Sequence, residues 1–249
     1  DLVSMHPRHG IMNIDVLSFA RLAYRVFEET GTKQMQVLDD EGKNLILRKI
    51  AGDYENKLTV LKGNIKKLGY ISEVKSVISE FTQYDIGEEE MDEMLDHLDE
   101  DSRLYYKLKD IRLLYEGFQD YLRERYITKE ELLDVLNSQV KESELLKNSV
   151  VVLDGFTGFT PVQNRLILEL MRCCKEVWVT VTMDERENPY AYKHPYQLFG
   201  LSKQMVTTLV RMAGEDHIEV EEPVCLYGYP VKRFEKNQDC LLYTSPSPR

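Results

Sequence analysis

The chain has 249 residues, 43% of them apolar and 30% charged, with a formal net charge of −11. That is enough apolar matter for one or two buried cores, while the acidic balance argues against a general polyanion-binding surface. No apolar run approaches the roughly 18–20 residues a membrane helix needs, and no basic-then-apolar leader opens the sequence. The four cysteines include no CxxC pair and suggest neither a disulfide framework nor a metal cage. A cytoplasmic protein with free thiols and no membrane partner is the expectation.

The opening residues DLVSMHPRHG lack an initiating methionine, as a piece of a longer protein would. Asn13 to Phe19 reads as a short strand running into a helix with Leu22, Val26 and Phe27 on one face and a stop at Gly31. From about residue 38 to 146 the pattern is helical, without a convincing strand. Leu45, Ile46 and Ile50 mark one helix; Ile71, Val74, Ile78 and Phe81 mark a second. The third and longest carries Leu104, Leu108, Ile111, Tyr115, Phe118 and Leu122. Thr128 and Glu131 have capping-box spacing and open a fourth, with Leu132, Leu136 and Val140 inward. Narrow apolar stripes flanked by charge predict that these helices pack as a small bundle. Residues 32–148 hold 26 acids and 18 bases, and Asp85 to Asp101 contains ten acids and no lysine or arginine, the mark of a solvated face or loop.

After Asn148 the pattern becomes α/β. Val150 to Leu153 is a short apolar strand running into Asp154, and Thr160-Pro161 opens a helix to residue 173 with Val162, Leu166 and Leu170 inward. A second strand, Val177 to Thr182 with Trp178 as a core residue, ends in Met183-Asp184. A polar, aromatic loop follows from Asn188, with Tyr190, Tyr192 and Tyr196 covering it. Then comes a helix over 197–213 carrying Leu198, Leu201, Met205, Leu209 and Met212, and His217 to Val220 is a candidate for one more strand. The closing CLLYTSPSPR resembles translated adapter read-through and is set aside as a non-native tail. This order predicts a parallel sheet interrupted by a helical insertion.

A buried parallel strand that ends in an acid delivers a carboxylate to the ligand-binding edge of the sheet. In nucleotide hydrolases such an acid holds Mg²⁺, which makes Asp154 a candidate contact; a strand-end aspartate that caps a turn is the alternative. Gly155 stands where a catalytic glutamate would be, and glycine cannot polarise an attacking water. No GxxxxGK[ST] phosphate loop occurs, and none of the five histidines has metal-ligand spacing.

The segment from Asp154 onward resembles motif II of UvrD-like superfamily 1 helicases, with Asp154, Phe156 and Gln163 at matching offsets and departures at Gly155, Thr157 and Gly158. IDVLSFARLAYRVF resembles motif Ib of the same superfamily, and between these motifs such helicases insert an all-helical subdomain called 1B. GIMNIDVLSFARLAYRVFEETG, YITKEELLDVL, VVLDGFTGFTPVQNRLILELM and VWVTVTMD together are similar to the AddB family, the B subunits of bacterial AddAB helicase–nucleases (RexB in some lineages), over about residues 10–215.

The resemblance implies a partial RecA-like (P-loop NTPase) parallel sheet with a large all-helical 1B-like insertion. Residues 1–31 and 148–222 would belong to the RecA-like 1A domain, 32–147 to the insertion, 223–239 to an irregular continuation and 240–249 to the tail. It implies degenerate nucleotide or Mg²⁺ contacts at Asp154, Gln163 and Asp184, with Glu187 where a glutamine is expected, and DNA contacts through Ser18 and Arg21. No catalytic residue is implied. In the parent protein it implies ATP with Mg²⁺, an iron–sulfur cluster whose cysteines lie elsewhere, an AddA-type partner subunit, and DNA ends processed for recombinational repair. The segment itself would be scaffold and DNA channel, inactive alone. An active superfamily 1 helicase with a divergent motif II, and a non-catalytic interaction module, are the alternatives.

Overall fold

Ser18, itself extended, starts helix α1, Phe19–Thr30, its hydroxyl accepting the Arg21 backbone N–H at 3.4 Å. Gly31 closes the helix at φ 68°, a left-handed conformation that glycine adopts without a Cβ penalty. The computed structural model describes residues 3, 7, 13–31, 36–65, 67–123 and 126–226. Within them the expected strand over Asn13 to Phe19 is not formed. Residues 14–18 belong to no ladder, and Ile14 and Val16 stand exposed. An extended segment becomes a strand only where a neighbour supplies hydrogen bonds.

The chain divides into two compact units, Asp1–Thr180 and Val181–Arg249. In the first, strand β1 (Gln36–Val37) leads into helices α2 (Asp40–Asp53), α3 (Leu68–Gln83), α4 (Glu88–Asp96) and α5 (Arg103–Leu122), and strand β2 (Tyr126–Ile127) leads out. Asp39 caps α2 by accepting the Gly42 N–H at 2.7 Å, and Ser102 caps α5 by accepting the Tyr105 N–H at 3.1 Å. The four helices enclose a core that includes Leu47, Ile50, Ile71, Met91, Leu114 and Phe118. Leu45 falls one residue off the α2 stripe and is 66% exposed, and Leu104 in the first turn of α5 is also exposed. The acidic run forms helix α4 in its first half. It buries Met91, keeps its acids in solvent, and is held to α5 by Arg112, which reaches Asp92 at 2.8 Å and Glu88 at 3.7 Å.

Asp110 of α5 is the buried polar anchor of this body. Its carboxylate, 2% exposed, accepts the backbone N–H groups of Thr59, Val60 and Leu61 at 2.8–3.1 Å and the Thr59 hydroxyl at 2.9 Å. Three oriented amides stand in for the water the carboxylate has lost. β1 and β2 pair in parallel, Gln36 with Tyr126 and Val37 with Ile127, so the stretch from residue 38 to 146 is not helical throughout.

The rest of this unit comprises helix α6 (Glu131–Gln139), a single 3₁₀ turn (Val140–Glu142), α7 (Glu144–Lys147), β3 (Val150–Leu153), α8 (Pro161–Cys173) and β4 (Glu176–Val179). The Thr128–Glu131 capping box is formed, with the Thr128 N–H donating to the Glu131 carboxylate at 2.7 Å and the Glu131 N–H to the Thr128 hydroxyl at 3.2 Å. The fourth expected helix does not join the bundle. Leu132, Leu136 and Val140 pack instead with Ala23, Val26 and Phe27 of α1 and with Leu166 and Leu170 of α8, in a second core.

β3 and β4 are parallel neighbours in register from Val150↔Glu176 to Leu153↔Val179. Strand alternation turns Val177 toward the second core and Trp178 the other way. Trp178 is therefore no core residue: it is 45% exposed on the face it shares with Val150 and Val152, and its indole N–H donates to Glu176 at 2.7 Å.

In the second unit, a loop leads to helix α9, Gly200–Glu215, with Met205, Leu209 and Ala213 buried and Leu201 exposed. Leu198 precedes the helix and is exposed, as are Tyr190 and Tyr196. Lys203, 1% exposed, pairs with Glu187. Residues 218–220 form no strand.

Candidate functional site

The carboxyl edge of the β3–β4 pair is built by three residues. Asp154 follows β3 and Thr180 follows β4. The Thr180 hydroxyl donates to the Asp154 carboxylate and accepts the Gly155 N–H at 3.3 Å, while the Thr180 backbone N–H donates to the Leu153 carbonyl at 3.0 Å. The two strand ends are thus laced together through the Asp154 and Thr180 side chains. Gly155 has φ 77°. A glutamate there would have to occupy the left-handed region.

Beyond Gly155 the chain carries two half-buried rings, Phe156 and Phe159, with centroids 4.9 Å apart. Phe19, the first residue of α1, lies 5.7 Å from Phe156. This contact brings the Ser18–Arg21 segment to the edge where Asp154 sits. Ser18 spends its hydroxyl on the α1 cap, and Arg21 is exposed. Gln163 closes the first turn of α8. Its side-chain oxygen accepts the Thr160 N–H at 2.9 Å, and the Thr160 hydroxyl accepts the Gln163 N–H at 3.4 Å, a reciprocal cap. Asp184 lies in the second unit and accepts from the Arg186 guanidinium and backbone N–H; those bonds hold its carboxyl well below the usual carboxylate range.

Sequence reasoning misses Thr180 and the Phe19–Phe156 contact. The first is one more polar residue after a strand, and the second joins positions far apart in the chain. Only the aromatic spacing Phe156-x-x-Phe159 hints at a cluster.

The described residues assemble no all-protein metal cage at this edge. Among the described residues no three His, Cys, Asp or Glu side chains gather closely enough to hold a metal. Asp154, one oxygen bonded to Thr180, would give a magnesium ion a single carboxylate, the rest of its octahedron falling to waters and nucleotide phosphates. Burial pushes the Cys174 thiol up to about 12 and raises Cys173 as well, which disfavours the thiolate form of both. The edge offers an aromatic patch and a braced carboxylate, with the start of α1 brought beside them by Phe19.

Residues 1–241 match the family described as ADDB, N-terminal. The chain belongs to the AddB family. It is 38% identical to the B subunit of the ATP-dependent helicase/deoxyribonuclease of Lachnoclostridium phytofermentans, over 98% of this chain and 23% of that protein. The identically named proteins of Clostridium kluyveri and Alkaliphilus oremlandii are 34% and 32% identical, over 99% and 94% of this chain and 21% and 22% of theirs. The chain therefore spans less than a quarter of the length of these AddB relatives. None of its described helices is long and apolar enough to cross a membrane.

Proposed function

We propose that this chain is a DNA-channel and scaffold element of the B subunit of an ATP-dependent helicase–nuclease that processes double-strand ends for recombinational repair in the cytoplasm. In this reading β3 and β4 belong to a degenerate RecA-like 1A sheet, and the helical body is its 1B-type insertion. ATP with Mg²⁺, the iron–sulfur cluster and the nuclease centre belong to other parts of the assembly, which includes an AddA-type subunit. The observation that carries the reading is the Phe19–Phe156 contact. It sets the segment expected to meet DNA phosphate beside the edge where a working hydrolase would keep its metal-binding acid, and that acid is followed here by Gly155. Ser18 and Arg21 would contact the strand, and Asp154, Gln163 and Asp184 remain as relics whose polar groups now serve the fold.

The test is ATP turnover and nuclease assay of the purified chain with single-stranded and double-stranded ends. Neither activity is expected, and Asp154→Ala changes nothing. Robust hydrolysis that Asp154→Ala abolishes would overturn the reading in favour of an active motor. Weak DNA binding by the chain alone, lowered further by Arg21→Ala, is the accompanying expectation.

A further inference from the structure

We propose that the helical body, residues 38–123, is hinged on the β1–β2 pair and latched to the sheet side by Arg165. Three observations converge. The first is that the two apolar cores of this unit share no buried residue: one is drawn from Ile46 to Leu122, the other from Ala23 to Phe27 and Ile127 to Leu170. Close packing transmits position rigidly, so two bodies with separate cores owe their mutual orientation to whatever joins them.

The second is the joint itself. The chain enters and leaves the helical body through a two-residue parallel pair, extended by the Leu38 N–H donating to the Ile127 carbonyl at 2.8 Å. Next to it Lys43, 2% exposed, donates to Glu130 at 2.7 Å and to Ser79 at 3.3 Å. Buried and hydrogen-bonded, that ion pair is poorly screened and stays closed, which makes it the pivot.

The third is the latch. Arg165 on α8 pairs with Asp134 on α6 at 2.9 Å, within its own body, and reaches across to Asp85 in the helical body. Asp85 has φ 61°. A non-glycine residue pays to occupy that region, whereas glycine would sit there freely but bring no carboxylate. The strained aspartate is what aims a charge at Arg165. Asp85 and Asp134 are exposed and Arg165 is half-buried, so their attraction is reached by salt in a way the Lys43 pair is not. The helical body thus swings about a salt-resistant pivot when a salt-sensitive catch lets go.

The experiment uses the whole chain with two spectroscopic probes introduced as non-cysteine amino acids at the exposed positions Glu93 and Lys175, so that native thiols stay in place. The distance distribution between them is read at low salt and at about 1 M NaCl. The wild type should be narrow at low salt and broaden at high salt, with the open fraction rising about fivefold. Arg165→Gln should show the broad distribution already at low salt and respond little to added salt. Asp85→Asn keeps a residue tolerant of positive φ and removes the charge. It should behave the same way, and it carries the test if Arg165→Gln folds poorly. Lys147→Gln, which breaks an exposed pair inside the sheet-side body, should match the wild type. A distribution unchanged in Asp85→Asn, or one that salt broadens equally in wild type and variants, overturns the latch.

Discussion

The helical body and the sheet-side body solve the same problem with different material. The first draws its core from one continuous stretch of chain, and its buried polar anchor, Asp110, is satisfied by a loop of that same stretch. The second gathers its core from three separated stretches and ends in a sheet of two strands, with Val150, Val152 and Trp178 exposed on one face. A locally closed core places few demands on the rest of the chain. A core assembled from distant pieces depends on all of them arriving, and parallel strands are ordinarily covered on both faces. The first region therefore has the character of a locally closed body, and the second that of a sheet that draws on distant parts of the chain.

The largest expected effect that would break this contrast comes from Phe118→Ala. Phe118 is buried in the helical core, and truncation there costs about 3–5 kcal/mol. Hydrogen exchange should show protection lost across α2–α5 and kept in α6 and α8; equal loss in both would mean a single cooperative core.

Next is Lys43→Met, which strands the Glu130 carboxylate and costs about 3 kcal/mol in urea unfolding near neutral pH. Burial works to raise the Glu130 carboxyl, but the hydrogen bond and charge of Lys43 outweigh it and leave the group below its usual 4.5. The wild-type contribution is therefore complete above about pH 4.5 and fades as the pH falls through the lower folded-state value. Lys43→Met should lose that acid dependence, and urea melts between neutral pH and pH 3 would show it.

Two smaller changes sharpen the picture of the sheet edge. Thr160→Ala removes the reciprocal cap of α8 and should cost about 1 kcal/mol in thermal unfolding. Gly155→Ala has open space for its methyl group but a positive φ, so it should cost about 1 kcal/mol from backbone strain alone. A neutral result would argue that the loop after β3 shifts readily.

Much of this architecture is legible in the residues, and the exceptions share a cause. β3, α8 and β4 announce themselves because apolar runs, a Thr-Pro start and an inward stripe agree with one another. The β1–β2 pair is invisible, since two residues carry no periodicity. α4 hides because its acids mask the one buried residue, Met91, that makes it a packed helix. Trp178 misleads because a large apolar side chain inside a strand suggests burial, whereas alternation sends it to the open face. At the candidate site Asp154 is readable from its position after a strand. Its partner Thr180 and the ring of Phe19 are through-space neighbours, and composition and spacing carry no record of them.

The side-by-side pairing of Gln36–Val37 with Tyr126–Ile127 has an evolutionary corollary. Because the ends of the helical stretch lie next to each other, the rest of the unit can accept a longer, shorter or altogether different stretch there without redrawing its own path, as domains with adjacent termini allow.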